Sequence, residues 1–85
     1  MFFDSRDYNV SLKGRSRIIY SEGKRKAHIE SEMLTGSTDL VIYFDRFRAW
    51  QSPFEKINVT DEDKQRIKRN ISKELEGKGL VIEWE

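Results

Sequence analysis

The chain has no cysteine, a single proline, a single histidine and no long hydrophobic run. Each shortage removes a class of protein. Without cysteine there are no disulfides and no thiolate chemistry, which suits a reducing cytosol. A lone histidine, His28, cannot hold zinc without further nitrogen or sulfur ligands, and the chain lacks them. The longest uninterrupted apolar run, residues 40–44, is far too short to cross a bilayer. The opening MFFDSRDYNV carries acids early, so no signal peptide is expected. An excess of one charge sign is also missing. Sixteen basic and fifteen acidic side chains leave a net charge of +1. Residues 1–58 hold ten basic and eight acidic groups, and residues 59–85 hold six and seven. Neither part is a basic arm or an acidic tail. A dominant nucleic-acid footprint would need a basic excess that this chain does not have.

What is present fits one small domain over residues 1–85, with residues 1–6 expected to fray. Hydrophobic and charged residues each make up 36% of the chain, enough apolar content to argue against wholesale disorder. A chain of 85 residues buries one modest core with a thin stability margin. No internal repeat or low-complexity tract is visible.

Hydrophobic periodicity sets the expected elements. Tyr8, Val10 and Leu12 alternate with polar residues, as in a half-buried strand. Lys13-Gly14-Arg15 offers a turn, and residues 17–20 form a second strand. Ser21-Glu22-Gly23 reads as the next turn, with a glycine suited to positive φ. Ala27, Ile29 and Met33 mark a third strand. Thr35-Gly36-Ser37 breaks the chain again. Residues 40–44 are apolar on both faces and predict a central strand covered on both sides. Four strands joined by short turns imply an antiparallel meander.

The helix is the clearest element. Thr60 can cap it, and Asp61, Glu62 and Asp63 occupy the first turn, where carboxylates favour the positive end of the dipole. Thr60 and Asp63 approximate a capping box with Asp in place of Glu. Ile67, Ile71 and Leu75 form an apolar stripe over a helix 61–76, and Gly77 stops it. Leu80, Ile82 and Trp84 then alternate in a last strand, 79–84. The expected fold is α+β: an antiparallel sheet of four to five strands with one helix packed on a face, in the order ββββαβ.

No catalytic constellation emerges. Glu30 and Glu32 share a strand face, as i and i+2 residues do. Their alternation with Ile29 and Met33 reads as a wet sheet face, with no shaped pocket to raise a carboxyl pKa. His28, out of phase with Ala27 and Ile29, reads as a solvent-facing strand histidine. Lys24, Arg25 and Lys26 form a basic triplet beside a turn. Arg66, Arg69 and Lys73 lie opposite the apolar helix stripe and read as a solvated face, with Glu62 placed to pair with Arg66. Gly77-Lys78-Gly79 follows a helix and does not open one, so it is no phosphate loop. No cofactor and no metal are expected.

Five of the ten aromatic residues lie between Tyr43 and Phe54. Phe47, Trp50 and Phe54, beside Arg46 and Arg48, have the composition of a binding hot spot. The other reading of the same residues is that Trp50 closes one end of the core and Pro53 turns the chain toward the helix. The surface reading places Phe47 or Phe54 in solvent with Trp50 partly buried beneath.

Glu32-Met33-Leu34, then Val41-Ile42-Tyr43, Trp50 and Pro53, followed by a helix with Ile67 and Ile71 and a closing GLVIEWE strand, resemble one known family. It is the immunity protein 74 family of bacterial polymorphic toxin systems, and the resemblance covers residues 8–84. Arg46 and Phe47 depart from it, because the family shows a small polar residue and an aliphatic one before the tryptophan. The resemblance implies a cytoplasmic α+β protein that binds and neutralises a cognate toxin domain, and it implies no catalysis. Inhibitors of nucleases often present acidic surfaces to basic active sites. A near-neutral chain points instead to anchoring by exposed aromatics.

Two other function classes share the pattern. Four antiparallel strands and a helix resemble the Whirly and positive-cofactor single-stranded DNA binders, for which Lys24, Arg25, Lys26, Tyr20 and Tyr43 could serve. The missing basic excess and the fifth strand count against it. A structural subunit that forms a homodimer through sheet edges is the third class. No membrane partner is expected.

Overall fold

The computed structural model describes residues 8–85. The segment 1–7, with Phe2, Phe3 and the stretch 1–6 expected to fray, lies outside the described residues.

Alternation builds the first three strands. β1 (Tyr8–Lys13), β2 (Arg17–Glu22) and β3 (Arg25–Met33) pair antiparallel. The register sets Val10 opposite Tyr20 and Tyr20 opposite Ala27, and Ile18 opposite Ile29. Residues directly opposite share a face, so one face collects Val10, Ile18, Tyr20, Ala27 and Ile29, all buried. The other face carries Ser11, Ile19 and His28 in one row and Lys13, Arg17 and Glu30 in the next. His28 is exposed, as its phase predicts. A two-residue link, Gly23-Lys24, joins β2 to β3, and Gly23 has φ +58°, the conformation a type II′ hairpin demands at that position.

β4 (Leu40–Ile42) pairs antiparallel with the end of β3, Met33 facing Leu40 and Ser31 facing Ile42. It is shorter than the run 40–44 predicts. Tyr43 still donates its N–H to Glu30 O at 2.9 Å, but a short 3₁₀ helix (Phe44–Arg46) then turns the chain out of the sheet. All three β4 side chains are buried. Leu40 and Ile42 join the main core, and Val41 is buried on the opposite face between the positions of Glu32 and Glu83.

α1 (Asp61–Glu76) starts where the cap predicts. Asp63 N–H donates to Thr60 Oγ1 and Thr60 N–H donates to Asp63 Oδ2, both at 3.1 Å, so the capping box is complete. Ile67, Ile71 and Leu75 pack against the apolar sheet face and lose essentially all contact with solvent. Each contributes roughly 1.5–3 kcal/mol of hydrophobic stabilisation before entropy costs. Lys78 and Leu80 N–H groups both donate to Leu75 O, and Gly79 at φ +88° redirects the chain.

β5 (Ile82–Trp84) completes a five-stranded sheet in the order β1-β2-β3-β4-β5. It pairs with β4 in parallel, Leu40 facing Ile82 and Ile42 facing Trp84. An all-antiparallel sheet is therefore corrected to a mixed one. The reason is the crossover: α1 carries the chain back to the end where β4 begins, and strands linked through a packed helix run parallel. Asp39 and Leu40 N–H groups both donate to Val81 O at that end, which fixes the entry of β5. The fold is α+β with one helix on one sheet face.

Candidate binding surface

The connector between β4 and α1, residues 43–60, is the segment richest in candidate binding groups. Its backbone continues the sheet where β4 has stopped: Gln51 N–H donates to Lys26 O at 2.8 Å, holding the connector along the first half of β3. The peptide bond Ser52–Pro53 is cis.

This placement corrects the aromatic reading. Phe47 and Trp50 are 3% and 1% exposed, so neither stands on the free surface. Phe47 meets Trp50 edge to face at 6.1 Å, and Phe44 bridges Phe47 and Trp84 at 5.8 and 5.7 Å. The aromatics seal the sheet beside the helix, because β4 and β5 are each only three residues long and leave that end of the core open. The Arg25 guanidinium lies 5.8 Å from the Trp50 ring centre. Trp50 Nε1 has no hydrogen-bond partner among the described residues. Phe54 is half-buried against the core.

Arg46 and Arg48 remain at the surface. Arg46 Nη1 lies 2.6 Å from Glu30 Oε2, and its guanidinium covers the Tyr43 ring at 4.4 Å. Tyr43 in turn donates its hydroxyl to Glu32 Oε2 at 3.0 Å. That hydrogen bond, with some burial, pushes the Tyr43 hydroxyl pKa up. Arg48 Nη1 donates to Asp45 O at 2.5 Å. The Glu30 and Glu32 side chains do stand on the wet face, but as acceptors that fasten the connector to β3. Sequence reasoning missed that use, since partners 16 and 11 residues away leave no local signal.

The basic triplet is scattered. Lys24 is exposed in the β2–β3 turn, Arg25 leans on Trp50, and Lys26 is exposed in β3. Tyr20 is fully buried and offers no face for a base to stack on, and Arg46 covers one face of the Tyr43 ring. Among the described residues no group of three or more His, Cys, Asp or Glu could hold a metal ion. No helix among them is long and apolar enough to cross a membrane.

Arg66 overturns its reading as a solvated-face cation. Its Nε and Nη2 donate to the two oxygens of Glu22, each at 2.9 Å, and its Nη1 lies 2.9 Å from Asp63 Oδ1. Glu22, read from sequence as a turn residue, is the last residue of β2 and only 5% exposed. It also accepts a very short hydrogen bond from the Tyr20 hydroxyl, which accepts in turn from Asn70 Nδ2 at 2.9 Å. Burial first, and then the bond to Glu22, push the Tyr20 hydroxyl pKa far up. The Glu22 contact pushes that of Arg66 further up as well. Each buried polar group in this set has a partner, so the network locks helix to sheet.

A family model described as Immunity protein 74 matches residues 10–85. No curated protein and no solved structure matches the chain.

Proposed function

The chain belongs to the immunity protein 74 family, and on that premise we propose that it binds and neutralises a cognate bacterial toxin domain made by its own cell. The observation that carries this reading is the extent of the family match, which runs from β1 through β5. Neutralisation by occlusion needs a stable shape and a complementary surface. It needs no catalytic group, so the chain is read as a single-domain binding protein and not as an enzyme. Its place of action is the cytoplasm, where a newly made toxin would meet it.

Of the connector residues read as partner-binding, Arg46, Arg48 and Phe54 keep exposed surface and would make rim contacts only. Phe47 and Trp50 act from below by holding that segment against β3. Charge at such a rim steers encounter more than it sets affinity.

Co-expression tests the reading. The toxin domain encoded beside this gene should arrest growth when induced alone, and growth should return when the full chain is made with it. A purified pair should form a one-to-one complex in calorimetry. Growth arrest that persists at high levels of folded chain, with no heat of binding, would overturn the proposal.

A further inference from the structure

The exposed large hydrophobic residues are unevenly placed. They are Leu12, Met33, Leu34, Ile57 and Val81. Three of them, Met33, Leu34 and Val81, are brought to one end of the sheet by the backbone. Leu34 N–H donates to Asp39 O at 2.9 Å, and Asp39 N–H donates to Val81 O at 2.9 Å. Met33 N–H donates to Arg15 O at 3.1 Å, which lays the β1–β2 turn against the same run. Arg15, Met33, Leu34 and Thr35 line an open groove of about 230 Å³. Core packing does not account for these side chains, since Met33 is 43% and Val81 53% exposed. Apolar patches rimmed by polar groups mark interaction sites, and Met and Arg are enriched where proteins meet.

Charge indicates what covers the groove. Lys13, Arg15 and Arg17 are exposed on the β1–β2 hairpin and have no ion pair among the described residues. No acidic residue occurs from position 8 to position 21. Three carboxylates nearby are already engaged. Glu32 accepts from Tyr43, Glu30 pairs with Arg46, and Asp39 Oδ2 accepts from the Val81 N–H at 2.8 Å. Arg15, the cation that lines the groove, is therefore free, while the carboxylates of Glu30, Glu32 and Asp39 are spoken for. An apolar groove with a positive rim selects a protein surface that offers an apolar side chain flanked by carboxylates.

We propose that the cognate toxin domain docks on this end of the sheet. It sets an apolar side chain against Met33 and Leu34, and a carboxylate against Arg15. This rests on the reading of the chain as an immunity protein. It adds the surface used and the chemistry of the toxin face, which is apolar and acidic.

Calorimetry with the full chain and the toxin domain encoded beside it tests the assignment. Arg15→Glu and Leu34→Asp should each weaken binding about thirtyfold, the effect of losing an interface anchor. The connector pair Arg46→Ala with Arg48→Ala should change it less than about threefold, as rim charges do. Raising salt should weaken the wild-type complex and leave Arg15→Glu much less affected. Arg15 lies in an exposed turn, so its variant remains informative if Leu34→Asp fails to fold. Wild-type-like affinity in Arg15→Glu, or a large loss confined to the connector pair, would overturn the docking surface and leave the immunity function standing. A labelled oligonucleotide that binds the wild type and not Arg15→Glu, with toxin affinity unchanged, would reassign the patch to nucleic acid. Absence of any wild-type complex would overturn the immunity reading, and this surface with it.

Discussion

Arg66 on the helix holds the buried carboxylate of Glu22 on β2 in a two-pronged grip, with both N···O distances at 2.9 Å across 44 residues of sequence. The same guanidinium reaches Asp63, which closes the capping box with Thr60. The start of the helix, its cap and the end of β2 are thus one hydrogen-bonded unit. Its charges lie beside a completely apolar stripe, so the unit fixes where along the sheet that stripe can settle.

Breaking one side of this grip should cost more than removing both sides. Arg66→Met leaves a buried carboxylate with its main partner gone, which typically costs about 3–5 kcal/mol. In a domain this size each kcal/mol lowers the melting temperature by roughly 4–8 °C. The double variant Arg66→Met with Glu22→Leu replaces both charges by apolar groups and should recover much of the loss. Denaturant titration of the two singles and the double measures it. Strictly additive losses would show that the pair is not coupled.

Stability should fall at both ends of the pH scale for reasons that can be assigned. At the acid end the group is Asp63. Burial raises its carboxyl pKa, but the Thr60 N–H and the Arg66 guanidinium outweigh burial and hold it below the usual value. A depressed folded pKa gives stability that is present above the unfolded value and lost as pH falls through the folded one. The loss therefore belongs below about pH 4, and Asp63→Asn should flatten that limb of the curve. At the alkaline end the group is Tyr20, whose raised pKa gives stability that is complete below about pH 10 and lost above it. Ultraviolet titration should find Tyr20 ionising only as the chain unfolds. A tyrosine count reaching three near the ordinary pKa, with the fold intact, would contradict its burial.

The helix stripe offers a direct check on the core. Ile71 lies at its centre and has no solvent exposure. Ile71→Asp buries a carboxylate with no partner, a cost that exceeds the margin of a small domain. Cooperative thermal unfolding should disappear from the circular dichroism melt. A normal melting curve would mean that the helix does not pack as described.

Local patterns were legible in this sequence, and distant pairings were not. Alternation at Tyr8 and Val10, the spacing of Ile67, Ile71 and Leu75, and the Thr60 cap depend on neighbours and emerged as read, whereas Leu12, at the end of the edge strand, is exposed. Glu22 looked like a turn residue because Gly23 follows it. Only the fold shows that Arg66 comes down over it, and Glu62 at the favourable helix spacing was the natural local guess. The parallel pairing of β4 and β5 depends on the path of the crossover, which residue pattern does not encode. The connector aromatics were ambiguous for a related reason. Whether a phenylalanine lies inside depends on how much core the short strands β4 and β5 leave uncovered.

That ambiguity yields the sharpest comparison along one segment. Phe47 and Trp50 are core residues, joined edge to face, and Arg46 and Arg48 alternate around Phe47 in solvent. Truncating a buried aromatic leaves a cavity as well as losing its transfer energy, so Phe47→Ala and Trp50→Ala should each destabilise the free chain by about 3–5 kcal/mol. Arg46→Ala should cost little, because its pair with Glu30 is more than half exposed on both sides and such pairs contribute about 0–1 kcal/mol. Arg48→Ala should likewise stay within about 0.5 kcal/mol. The two aromatic variants should also fail to add, since the residues share one cavity. Denaturant melts of the four single variants and the Phe47/Trp50 double decide the matter. If Phe47→Ala left stability untouched and still abolished toxin binding, Phe47 would have to leave the core to meet its partner, and the connector would be an interface that opens on binding.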